Sequence, residues 1–254
     1  MKLRKLALAL TIAFFTLFHF CFYFANGETL FLLATIGSVG FWFSFLLLSM
    51  VSFLRRAFAF SLNALRSKGY ALALLIGYFV IHVFVYGLLL ERLLVSIFGS
   101  VQTYSGGLEA YFSANYNITP KDVLSEIYAL TLNPSFVVFI PPLYGLALGP
   151  FAFYSALAID FLVLSNIAVI LRSTKTYKVI AFPVIGVVGG ASCCLSVPEL
   201  IVTLSSIGSQ LVLLTPLETI VLNTLYYVLP ISVMVALKLN LDTLVSVKPK
   251  VFTG

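Results

Sequence analysis

Two runs of 36 residues, Phe136–Leu171 and Val179–Leu214, contain a single charged residue each, Asp160 and Glu199. A water-soluble domain carries about a quarter of its residues as charges, so a chain with such runs must have lipid as its solvent. The whole sequence agrees: 254 residues, 61% hydrophobic, 9% charged, with mean hydropathy +1.10. The expected fold class is all-α, a polytopic membrane helical bundle in one integral membrane domain, with the lipid bilayer as its first partner.

A helical span takes about 20 apolar residues. On that measure six spans are expected, over 6–25, 30–54, 70–90, 150–171, 179–205 and 217–237. Thirty-six helical residues would extend ~54 Å against ~30 Å of hydrocarbon. Each long run is therefore read as one full span plus a broken or re-entrant piece. The breaks fall near 136–150, at Pro141-Pro142 and Gly149-Pro150, and near 186–199, at Gly186, Gly189-Gly190 and Pro198. Gly37 and Gly40 offer the second span a close-packing face, and Pro230 marks a kink in the sixth. Lys2, Arg4 and Lys5 ahead of an apolar stretch imitate a secretory signal. That stretch continues to Ala25 without a small-x-small cleavage site, so it reads as the first span.

Between the second and third spans, Arg55, Arg56, Arg66 and Lys68 have Phe58, Phe60, Leu62 and Leu65 between them, the pattern of a short amphipathic helix lying on the membrane surface. The long polar segment 101–135 holds a short helix opened by Thr119, Pro120 and Asp122, with Val123, Leu124, Ile127 and Tyr128 on one face. Asn117 in Asn117-Ile118-Thr119 is a glycosylation candidate. With six spans, thirteen of the fifteen cationic residues fall on one side, and only Arg92 and Lys121 on the other. The positive-inside rule then puts both termini in the cytoplasm and loop 101–135 outside a cell membrane. This sidedness accounts for the net charge of +6 without a nucleic-acid partner. It also makes the two halves opposite in orientation, an arrangement transporters use.

Chemistry concentrates at Gly189-Gly190-Ala191-Ser192-Cys193-Cys194-Leu195-Ser196-Val197-Pro198-Glu199. Hydrocarbon penalises each polar group there. Adjacent Cα atoms lie ~3.8 Å apart, short of the usual disulfide range, so Cys193 and Cys194 are candidate soft-metal thiolates; the alternative is that both are small buried hydrophobes. This segment, Gly190 to Pro198, resembles the Cys-Cys membrane helix of mercuric-ion transporters, and the rest of the chain does not. In that family the pair receives the ion from the outer side and passes it inward, and the resemblance implies the same metal role for Cys193 and Cys194 alone.

Asp160 lies 12 residues from Arg172, ~18 Å into the bilayer. With Glu199, Ser192 and Ser196 it is a candidate lining of a transport path; an internal hydrogen bond between helices is the other reading of Asp160. His19 and His82 stand at comparable depths in two spans and are candidate axial ligands of a haem b. His19 with Cys21 is a further candidate for a soft metal. No Walker loop, dinucleotide fingerprint, serine-nucleophile elbow or zinc-protease helix occurs, so no enzyme class is indicated. The sequence reads as a carrier or channel for a small solute or ion, with a soft metal ion as one class of cargo. The alternative is an accessory or cofactor-holding subunit, its polar residues meeting a second copy or the helices of a larger membrane complex.

Overall fold

A computed structural model describes residues 2–67, 69–81, 107–114, 123–140, 144–171 and 216–246. Its elements are α1 (Lys2–Phe24), α2 (Gly27–Val51), α3 (Arg55–Ser67), α4 (Tyr70–Val80), β1 (Glu109–Ser113), α5 (Val123–Leu132), β2 (Ser135–Ile140), β3 (Tyr144–Leu148), α6 (Pro150–Leu171) and α7 (Pro216–Ser246). Lys2–Phe24, Gly27–Val51, Pro150–Ile170 and Tyr226–Ser246 are each long and apolar enough to cross a membrane. Their outward faces carry Leu6, Ile12, Phe31, Val39, Phe153 and Ile231 exposed, which suits hydrocarbon and no other solvent. The protein is a membrane-embedded, mostly helical bundle.

α1 and α2 form a hairpin turned at Gly27, whose φ of 55 is in the left-handed region that only glycine enters without strain. They pack closely because α2 is smooth where they meet. A Cβ added at Gly37 would lie 2.9 Å from the Phe18 backbone, and Gly40 faces the Phe14 ring. The second helix ends at Val51, earlier than the expected 54, because a turn at 52–54 leads into α3.

α3, expected as a helix on the membrane surface, is packed into the bundle. It buries a face of small residues, Ala57, Ser61 and Ala64, against α6. The Ser61 hydroxyl donates to the Phe161 carbonyl at 2.8 Å, and Phe58 meets Phe161 edge-on at 5.4 Å. α6 is the hub, packed by α2, α3, α4, α5 and α7. Ala152, Ser155, Ala156, Ala158 and Ser165 are fully buried along it; small side chains are what let several membrane helices approach one.

Contacts fix the helix directions. Phe151 meets Trp42 of α2 at 5.5 Å and Tyr227 of α7 at 5.2 Å, while Asn166 reaches the Leu237 carbonyl of α7 at 3.1 Å. Further along both α2 and α6 the Ser49 and Tyr154 hydroxyls meet at 3.1 Å, so α2, α6 and α7 run the same way. α4 runs against them, from Ala71 beside Leu164 to Phe79 beside Phe153, and α1 runs against α2. The two parallel helices α2 and α6 are out of step. Trp42 lies 15 residues after Gly27, so α6 begins roughly 22 Å along α2.

α5 lies beside the first half of α2, where Leu130 packs with Ala34, and the chain around it forms a three-stranded antiparallel sheet of order β1-β2-β3. The stretch near 136–150, expected to be a broken or re-entrant segment, holds β2 and β3 ahead of α6. Phe136-Val137-Val138-Phe139-Ile140 is a strand, with Phe112 opposite Phe136 and Phe136 opposite Leu148. β-branched and aromatic residues favour the pleated surface, and the Pro141-Pro142 pair denies a helix its donors. The bundle around this small sheet is helical, as the expected fold class has it. The final helix also exceeds the expected 217–237, running from Pro216 through Pro230 to Ser246. The expected break near 186–199, the fifth span at 179–205 and positions 82–90 of the third lie outside the described residues.

Candidate functional site

Among the sequence candidates, Asp160, His19 and Cys21 lie within the described residues; Cys193, Cys194, Ser192, Ser196, Glu199, His82 and Asn117 do not. Asp160 sits at the middle of α6 and is 1% exposed. A carboxyl group is rarely buried to this degree, because leaving water is costly for its charged form, so its presence in the hub helix needs a reason.

Beside it the structure reveals polar residues that sequence reasoning passed over. Asn166, fully buried, donates from Nδ2 to the carbonyls of Leu162 at 2.7 Å and Leu237 at 3.1 Å. Its Oδ1 accepts from Asn240 Nδ2 at 2.7 Å. This closed network ties α6 to α7. Asp160 lies six residues earlier, about 120° around the helix from Asn166, so it belongs to a different flank. The sequence signal for Asn166 was available: an amide in an apolar run is as unexpected as a carboxylate.

The second cluster joins α1 to α5. His19 Nδ1 and Glu126 Oε1 are 2.7 Å apart; the Glu126 side chain is 11% exposed and the His19 ring 38%. Cys21 does not share this site. Its thiol donates to the Phe18 carbonyl at 2.9 Å and is buried with Phe18, Ala34 and Leu130. Two positions apart on a helix, His19 and Cys21 diverge by about 160°. Among the described residues no three His, Cys, Asp or Glu side chains converge as a metal site would require.

α5 buries a face that mixes polar and apolar residues. Val123, Ile127 and Tyr128, expected to share its apolar face, are exposed, while Glu126, Leu130 and Thr131 are buried. One of its C-terminal carbonyls, which a helix cannot bond internally, is taken by α2: Ser38 Oγ donates to Leu130 O at 3.0 Å and Trp42 Nε1 to the same oxygen at 2.8 Å. Thr131 and Tyr227 hydroxyls meet at 2.7 Å. Gly149 completes the seat, since a Cβ there would lie 2.8 Å from the Thr131 carbonyl.

At the opposite end the cations gather. Arg56 Nη1 and Lys238 Nζ donate to the two oxygens of Asp242 at 3.0 and 2.9 Å, and Lys238 also stands 5.0 Å over the Phe53 ring. A cleft of about 260 Å³ is lined by Arg55, Arg56, Lys238 and Asp242. A neighbouring cleft is lined by Arg4 and Arg55.

What these features define is a class: an integral membrane helical bundle with buried polar groups and one strongly basic end. Compared with protein-family models, curated proteins and solved structures, the chain matches none of them.

Proposed function

We propose that the protein is a membrane carrier or channel for a small solute or ion. A soft, thiophilic metal ion is the cargo that suits Cys193 and Cys194, whose segment resembles that of mercuric-ion transporters. The observation that carries the reading is Asp160, an acidic side chain in the middle of the most enclosed of the described long helices. Intramembrane acids are conserved for cation or proton pathways because their insertion cost must be offset by function. Glu199, Ser192 and Ser196 complete the suggested path.

The accompanying topology has six crossings, both termini in the cytoplasm and loop 101–135 outside. Such a count requires α2, α6 and α7 to be parallel and α1 and α4 opposed, as they are. It also gathers Arg4, Arg55, Arg56 and Lys238 at one end, in keeping with the positive-inside rule.

Flux assays on proteoliposomes loaded with a panel of mono- and divalent cations, including Zn(II), Cu(I) and Hg(II), test the reading. Asp160→Asn should abolish uptake, and Cys193→Ser with Cys194→Ser should remove only the thiophilic ions. Absence of flux for every ion and small solute tried, with folded protein in sealed vesicles, overturns it. A second reading, as a cofactor-holding subunit, is favoured by one detail. Glu126 engages His19 Nδ1, and the ring is more than one-third exposed, leaving Nε2 for an external ligand as in carboxylate-oriented metal histidines. A haem absorption band, or fixed-ratio co-purification with other chains, would establish that reading and displace the first.

A further inference from the structure

The basic end holds a cleft that the transport reading does not use. Leu3 and Arg4 of α1, Met50 and Val51 of α2, and Arg55, Phe58, Ala59 and Leu62 of α3 line a space of about 500 Å³. Its chemistry is divided: two guanidinium groups from different helices, and an apolar floor. Among the described residues neither Arg4 nor Arg55 is within ion-pair distance of a carboxylate, whereas Arg56 and Lys238 are both engaged by Asp242. Arg55 also borders the adjoining cleft with those two cations, so three cations line the cleft that holds this one acid.

We propose that this cleft binds an anionic phospholipid, with its phosphate held by Arg4 and Arg55 and the start of one acyl chain laid along Met50, Val51, Phe58 and Leu62. Charge complementarity selects the occupant. Guanidinium groups pair with phosphate oxygens bidentately, and an apolar wall beside them, at the headgroup level of a membrane protein, fits a lipid better than a free phosphate. Anionic leaflets attract basic residues at membrane edges by about 1 kcal/mol each; here two are brought together by a fold that turns α2 into α3 next to the start of α1. The inference depends on membrane embedding alone and stands whether or not the protein is a carrier.

The test uses full-length protein in nanodiscs of phosphatidylcholine with phosphatidylglycerol, delipidated stepwise and read by native mass spectrometry. The wild type should retain phosphatidylglycerol selectively. Arg4→Ala with Arg55→Ala should lower that retention roughly thirtyfold, about fivefold per cation, while Arg66→Ala, on α3 but outside the cleft, leaves it unchanged. Equal loss in Arg66→Ala would reduce the effect to diffuse charge and overturn the proposal. So would binding of inorganic phosphate without retention of lipid. Photoactivatable phosphatidylglycerol on the unmodified protein gives an answer that does not depend on the variants folding: crosslinks should concentrate in Met50–Leu62 and around Leu3, and an even spread over the chain would refute the site.

Discussion

α1 and α6 are nearly the same length, 23 and 22 residues, and almost equally apolar, yet they occupy opposite places. The most apolar stretch of α1 is 22% buried and that of α6 is 67% buried. α1 turns Leu3, Leu6, Leu8, Ile12, Phe15 and Phe20 outward. α6 hides Ala152, Ser155, Ala156, Asp160, Ser165 and Asn166. Hydropathy therefore selects which segments enter the membrane, and side-chain size and buried polarity decide which of them is surrounded. Where the solvent is hydrocarbon, greasiness gives no drive toward the centre; close packing and interhelical hydrogen bonds supply it.

The largest effect that would sharpen this contrast is overpacking. Ala156→Phe in α6 should destabilise by about 3 kcal/mol, read as loss of thermal or steric-trapping stability in micelles, while Ile12→Phe on α1 stays within about 0.5 kcal/mol. Equal effects would break the distinction. Gly37→Val comes next, at about 2 kcal/mol, since the added carbons meet the Phe18 backbone, and proteolysis should then release α1 preferentially. Asn166→Ala should cost about 1 kcal/mol by unbinding α7 from the hub, with Asn240→Ala partly redundant in a double-mutant cycle. The smallest is His19→Ala, about 0.6 kcal/mol, visible as faster amide exchange confined to α5.

Much of the fold was legible. The span at 150–171 coincides with α6, and Gly37 and Gly40 do face α1, because glycine spacing and the length of an apolar run are local properties. The hairpin of β2 and β3 was hidden, since an apolar run of Phe, Val and Ile reads alike as buried helix or strand, and its partner β1 lies more than 20 residues upstream. Glu126 was also hidden. Its importance comes from His19, 107 positions away, and from α5 leaving Val123, Ile127 and Tyr128 exposed while it buries Glu126. Asp160 was visible because one acid in a long apolar run needs no partner to stand out, whereas the thiols at Cys193 and Cys194 lie outside the described residues.

The stagger between α2 and α6 has a consequence for the surrounding bilayer. A slab of uniform thickness cannot meet both helices at their ends. Either the leaflet thins where α6 starts, or the whole molecule leans until its apolar girdle is level. In both cases the protein would be sensitive to acyl-chain length, preferring one bilayer thickness over another before any cargo is present.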